Sequence, residues 1–223
     1  MAGVLNSYLF GSAVTAMAFR SASSDGATLR VSKPTGAAVG DMVCVWVNYG
    51  PNNLTMTTTG GGSAWNVTRV TWAAHGYTST FFWKVINATD LDPTKFWDMS
   101  AAAYETINTL CYQGNGATTA TVKATAANNV NQSTLTLTGY TKNAGHRGTA
   151  VFFADRDENL DGNNGSNYTR PSGFTMRFDA DYANFWCMGG DKLTGYADGA
   201  NVVWSGVNGS NGFAEVGILV EFT

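Results

Sequence analysis

An all-β fold, an antiparallel β-sandwich of jelly-roll-like kind, follows from three features of this 223-residue sequence. Apolar residues recur at every second position, several short runs are apolar throughout, and glycine punctuates the chain at close intervals. From Ala214 to Phe222 the even-numbered residues Val216, Ile218, Val220 and Phe222 share one side. Glu215 and Glu221 fall on the other, a pattern that predicts a half-buried strand with its charges in water. Phe174, Met176 and Phe178 alternate with Thr175, Arg177 and Asp179, and Phe81, Trp83 and Val85 alternate with Thr80, Phe82 and Lys84. Met42–Val47 and Ala150–Ala154 are apolar at every position, too short for ordinary helices and bounded by turn residues, which predicts central strands buried on both faces.

The 26 glycines supply the turns, among them Gly36, Gly40, Gly60-Gly61-Gly62, Gly139 and Gly189-Gly190. One segment reads otherwise. Asp92-Pro93 has the form of an N-cap followed by proline at the first helical position, so a short helix from Thr94 is one expectation for Thr94–Tyr104, beside the strand reading of the rest of the chain. No linker, charge block or sequence repeat marks a boundary, so residues 1–223 are read as one domain, with 1–20 as an N-terminal arm or edge strand.

Composition narrows the function classes. Charged residues make up 13% of the chain, against about 25% in ordinary soluble domains. The net charge of −3 provides no cationic footprint for nucleic acid and no basic face for a membrane. No stretch reaches the roughly 20 apolar residues of a membrane span. A secretory leader is not expected either. Arg20 is the first basic residue, and Asn6, Ser7, Gly11 and Ser12 interrupt the apolar N-terminus. Cys44, Cys111 and Cys187 each lie in an apolar run and read as buried thiols. Sequence leaves open whether any two of them are bonded.

An ordered set of short motifs runs from Phe19 to Gly114. It comprises Phe19-Arg20-Ser21, then Leu29 to Gly36 (including Lys33-Pro34), then Val39-Gly40-Asp41 opening an apolar strand. A glycine-rich loop leads to Trp65, then Phe82-Trp83-Lys84-Val85, Asp92-Pro93, and a strand ending in Tyr112-Gln113-Gly114. This set resembles the β-sandwich domains of tailed-bacteriophage virion proteins, and it covers a little under half the chain. The resemblance implies a virion structural protein, either a multi-copy capsid decoration or cement protein or a small tail or baseplate component. Its implied partners are major capsid or tail proteins and further copies of itself. It also implies a strand after Asp92-Pro93 where the cap signal suggests a helix. In this reading Asp41 bonds local backbone, Trp65 opens a strand and plugs the end of the sandwich, and Lys84 lies on the wetter face. Val4–Phe10 would be an arm on a neighbour or an edge strand.

Each residue set with chemical potential also has a structural reading. His75 and His146 stand in glycine-rich turns without a Gly-x-Ser-x-Gly elbow. Asp157-Asn159-Asp161 before Gly162 imitates the start of a calcium loop, but its twelfth position is Tyr168, so it is not an EF-hand. Asp179 and Asp181 share a strand face, as a solvated edge does. Trp72, His75 and Tyr77, with Trp204 before a glycine-rich loop, are the aromatic candidates for a glycan- or receptor-binding adhesin, the second reading. The sequence thus predicts no catalytic, cofactor or metal residues and no enzyme, with a looser calcium site at Asp157-Asn159-Asp161 left open and a hydrolase as the remote third reading.

Overall fold

The computed structural model describes residues 14–26, 28–50, 53–72, 77–101, 106–128, 134–156, 169–182, 185–205 and 214–223. It is an antiparallel all-β structure in four layers. The first half contributes β1 (Ala18–Asp25), β2 (Arg30–Val31), β3 (Met42–Gly50), β4 (Met56–Thr58), β5 (Asn66–Trp72), β6 (Tyr77–Val85), β7 (Trp97–Met99) and β8 (Thr106–Gln113). One short helix, α1 (Ala88–Leu91), lies between β6 and β7. The second half contributes β9 (Ala120–Asn128), β10 (Thr134–Leu137), β11 (Gly148–Arg156), β12 (Thr175–Tyr182), β13 (Phe185–Lys192), β14 (Val202–Ser205) and β15 (Ala214–Phe222).

Two five-stranded sheets, β1-β8-β3-β6-β5 and β12-β13-β11-β15-β9, face each other across a central core. Trp46, Phe81, Tyr112, Phe152 and Phe222 fill it, with the Phe81 and Phe152 rings 5.2 Å apart and those of Tyr112 and Phe222 5.1 Å apart. The outer face of the first sheet is covered by the small sheet β2-β7-β4. A second core there joins Val43, Val45, Val47 and Phe82 to Val31, Met56, Trp97 and Met99. The outer face of the other sheet is covered by β10-β14, where Leu135, Leu137, Val202 and Trp204 pack on Val151, Phe153 and Leu219. The expected central strands are in place: β3 and β11 are each the middle strand of a sheet and are buried on both faces.

The two halves have the same topology. Numbered from its own start, each half runs first-eighth-third-sixth-fifth in the large sheet. The cover sheet runs second-seventh-fourth, the fourth position in the second half being Thr169, which bridges to Ser205. Even an irregularity is repeated. The pairing of β1 with β8 skips Arg20 and that of β9 with β15 skips Lys123, so each half carries a bulge with a cation at the extra residue. Because β1 lies against β12 and β5 against β9, exchanging the halves leaves the layout unchanged. The sequence carries no visible repeat, yet the chain folds as a pseudo-dimer.

Several expectations are corrected. Strand β15 is not half-wet: Glu215 and Glu221 are buried, because β10-β14 covers the face assigned to solvent. Lys84 is 1% exposed rather than on a wetter face, and its neighbours Thr80 and Phe82 are buried with it. Met176 and Phe178 do not share a side. Arg177 is an extra residue against Gly189-Gly190, so Phe178 joins the central core while Met176 packs on the outer one. The helix expected from Thr94 is absent; Trp97–Met99 is a strand, as the resemblance implied, and Asp92 instead ends α1. The helix starts at Asn87, whose side chain accepts from Asp90 N while the Asp90 carboxylate accepts from Asn87 N. Trp65 precedes β5 and packs edge-on to Trp97 in the outer core, 5.3 Å between rings, not at the end of the central one.

Trp204 is fully buried, stacked on Trp186 at 5.2 Å and tilted against Phe153 at 5.4 Å. Trp204→Ala is therefore expected to lower unfolding free energy by about 3–5 kcal/mol in urea titrations. A change below ~1 kcal/mol would show that the outer layer contributes little.

Candidate functional site

The residues with chemical potential include three charge centres, at Lys84–Asp90, Arg20–Asp41 and Lys123–Glu221, and a surface groove beside β2; Arg177 also pairs with the buried Asp191 at 2.7 Å. The first centre is built by the α1 cap. The Asp90 carboxylate, drawn inward by the capping box, meets the Lys84 amine in a direct ion pair. Thr58 on β4 donates to Asp90 Oδ1 at 3.0 Å and Ser63 to Oδ2 at 3.0 Å. Lys84 also donates to Thr58 Oγ1 at 2.7 Å and lies 4.3 Å from the centre of the Trp65 ring. Burial lowers the Lys84 pKa against the pull of Asp90. Burial acts to raise the Asp90 pKa, but hydrogen bonds from the Asn87 main chain, Lys84 and Thr58 outweigh it and hold the carboxyl below its ordinary value. Gly62 is required beside this pair, since a Cβ there would meet Asp90 Oδ1 at 2.6 Å.

The second and third centres sit at the two equivalent bulges. Arg20 binds Asp41 through Nε at 2.5 Å, and Asp41 also accepts from Ala38 N at 2.8 Å, the local backbone bond expected of it. In the other half Lys123 lies 3.0 Å from Glu221, which accepts from Asn143 N at 2.8 Å and contacts His146 Nδ1 at 3.1 Å. His146 is thus tied to a buried carboxylate that also serves Lys123. The geometry is that of a clamp on the 143–146 turn. His75 lies outside the described residues.

Among the other sequence candidates, Asp157, Asn159 and Asp161 lie outside the described residues. Among the described residues no group of three or more His, Cys, Asp or Glu side chains is arranged to hold a metal ion. Asp179 is exposed on β12, an edge strand, as a solvated edge is, and there it binds Arg170 and accepts from Trp186 Nε1 at 2.8 Å; the side chain of Asp181 is outside the description. The Trp72 and Tyr77 side chains are likewise outside it, and Trp204 is unavailable to a glycan because it is core. The three cysteines are buried thiols rather than half-cystines, and Cys187 Sγ accepts from Asn108 Nδ2 at 3.1 Å. Burial pushes Cys44 well above its ordinary pKa, and burial with the nearby Asp41 charge pushes Cys111 up to about 12, so both stay protonated at neutral pH.

The groove is a feature that sequence inspection missed. It opens at the edge of the first cover sheet, has a volume of about 260 Å³, and is lined by residues 30–33 of β2 and its exit and by Pro93, Lys95, Phe96 and Trp97. The signal was dispersed, because Lys95 lies far along the chain from Arg30 and Lys33 and joins them only when β2 pairs with β7. Comparison with protein-family models, curated proteins and solved structures finds no match.

Removing one member of the Lys84–Asp90 pair leaves the other charge buried alone. Lys84→Met is expected to cost about 3–5 kcal/mol, while Lys84→Met with Asp90→Leu recovers most of that loss. Because the Asp90 pKa is lowered on folding, its contribution is complete above its unfolded value near ~3.9 and is lost as pH falls through the lower folded value. Urea midpoints from pH 7 to pH 2 should therefore fall less steeply below pH ~4 for the double variant than for the wild type. Identical acid limbs would contradict this assignment.

Proposed function

We propose that the protein is a structural component of a tailed-phage virion, a multi-copy capsid decoration or cement protein or a small tail or baseplate part. It works by burying surface between neighbours, with major capsid or tail proteins and copies of itself as partners. The resemblance of Phe19–Gly114 to such sandwich domains motivates the assignment. The observation that carries it is the inward placement of charge. Asp41, Lys84, Asp90, Asp155, Asp191, Glu215 and Glu221 are all buried in a chain with few charges to begin with. The outside is correspondingly rich in Thr, Ser, Asn and Gly and exposes Val14, Leu29, Val39, Val67, Phe96 and Val203. Depletion of charge is what distinguishes the cores of protein interfaces from ordinary surface. Many modest contacts of this kind, repeated over a lattice, sum to a stable assembly without a reactive site.

The test is the composition of purified particles of the phage that encodes the chain. The protein should be present at a copy number that follows the capsid lattice or the symmetry of the tail, and its deletion should lower particle resistance to heat. Its absence from mature particles would overturn the assignment.

A further inference from the structure

The groove beside β2 is pre-organised for an anion. Arg30 lays its guanidinium over the Phe96 ring, 3.8 Å from the ring centre, and its Nε donates to Asp98 Oδ1 at 3.2 Å. Asp98 is itself held by Thr59, whose hydroxyl donates to Oδ2 at 2.5 Å. Stacking and one tether fix the plane of the guanidinium. Its two terminal nitrogens have no further partner among the described residues, and such a fixed fork matches the two oxygens of a carboxylate. Lys95 forms no ion pair among the described residues. Its amine rests over Gly60, where a Cβ would meet it at 2.6 Å. Lys33 donates to the Asp92 carbonyl at 2.8 Å. Burial lowers its pKa, so its charge is under-solvated and would gain from an added anion.

The duplicated fold supplies an internal control. Matching the Ser100 N–Thr55 O bond to the Ser205 N–Thr169 O bond sets Trp97 against Val202 and Val31 against Leu137, and hence Lys33 against Gly139 and Lys95 against Ala200. In the second half this place is shut. A Cβ at Gly139 would collide with the Gly199–Ala200 main chain, Gly199 N donates to Tyr140 O at 3.0 Å, and Gly139 N to Asn201 Oδ1 at 2.8 Å. The scaffold therefore does not require an opening here. Among the described residues the first half leaves the place open and lines it with three cations, where the second fills it with main chain.

The size of the groove and its walls select among anions. About 260 Å³ is below the range of drug-sized pockets, and only two short chain segments line it. That room suits one compact ring better than an extended peptide. Pro93 and the rim of Phe96 add apolar wall beside the cations, as the mixed faces of a pyranose need. We propose that this groove binds a carboxylated sugar ring, of the uronic or sialic acid type, through the Arg30 fork and the Lys95 amine. This is independent of the assembly assignment, and it moves glycan recognition from the buried Trp204 to the open edge of β2.

The test is a titration of the full chain, followed by amide NMR shifts, with glucuronate, N-acetylneuraminate, glucose and a short Glu-rich peptide. At least one of the acidic sugars should give saturable shifts at millimolar concentration around Arg30, Lys95 and Phe96, and glucose none. Arg30→Lys, which keeps the charge but loses the fork, should weaken binding by about fivefold or more. Lys95→Gln should weaken it by about two- to threefold, while Lys142→Gln, outside the groove, should leave it unchanged. The amide spectrum of each variant reports whether it is folded, and Lys95→Gln tests the site independently of Arg30. No saturable shift with either acidic sugar, equal binding of glucose, or affinities unmoved by both groove substitutions would overturn the proposal. Tighter binding of the Glu-rich peptide at the same residues would replace the sugar with a protein partner.

Discussion

The constraint on which this structure rests is that each large sheet has two faces and both must be covered. Packing the sheets on each other buries one face of each and leaves the other apolar, as the unbroken runs of β3 and β11 require. The cover sheets resolve this, with β2-β7-β4 on one side and β10-β14 on the other. Covering the outer faces also encloses whatever charges those faces carry. A buried charge is tolerated only when paired and hydrogen-bonded. Lys84 has Asp90 and Thr58, Asp41 has Arg20, and Glu221 has Lys123 and His146. The ion pairs are thus a consequence of the layering, and they lock loops and bulges to the sheets they cover.

This explains what could be read in the sequence and what could not. Met42–Val47 and Ala150–Ala154 were legible because a strand covered on both sides has no polar positions to spare. Strands β6 and β15 misled because alternation reports only that one face is polar. It does not report whether that face meets water or a partner arriving from elsewhere in the chain. Glu221 and Lys84 read as solvent-facing, yet Lys123 and Asp90 wait for them on other segments. The Phe174–Phe178 alternation failed for another reason, since one extra residue at Arg177 shifts every later side chain to the opposite face. The true helix start was written locally as Asn87-x-x-Asp90, but the more conspicuous Asp92-Pro93 drew the assignment one turn too far along. The groove was illegible because Lys95 and Phe96 reach Arg30 and Lys33 only through the pairing of β2 with β7.

Repetition of one topology also shows how function could be added to it. The two halves share strand order and the bulge cations Arg20 and Lys123, which belong to the scaffold. They differ where the cover sheet meets the connection before its middle strand. The first half places Lys84, Asp90, Trp65 and Trp97 there, with an open groove alongside; the second places the stacked rings of Tyr140 and Tyr196, 4.8 Å apart, and closes the gap with main chain.

The central claim is that two topologically equal halves share one core and so behave as one cooperative unit. Native-state hydrogen exchange in increasing urea tests this most directly, by following the amides of β3 and β11, the middle strands of the two sheets. The structure predicts that both sets open with the same free energy and the same urea dependence, equal to those of global unfolding. If β11 amides kept their protection after β3 had opened, or the reverse, the halves would be separate folding units and the shared core would not be what holds the molecule together.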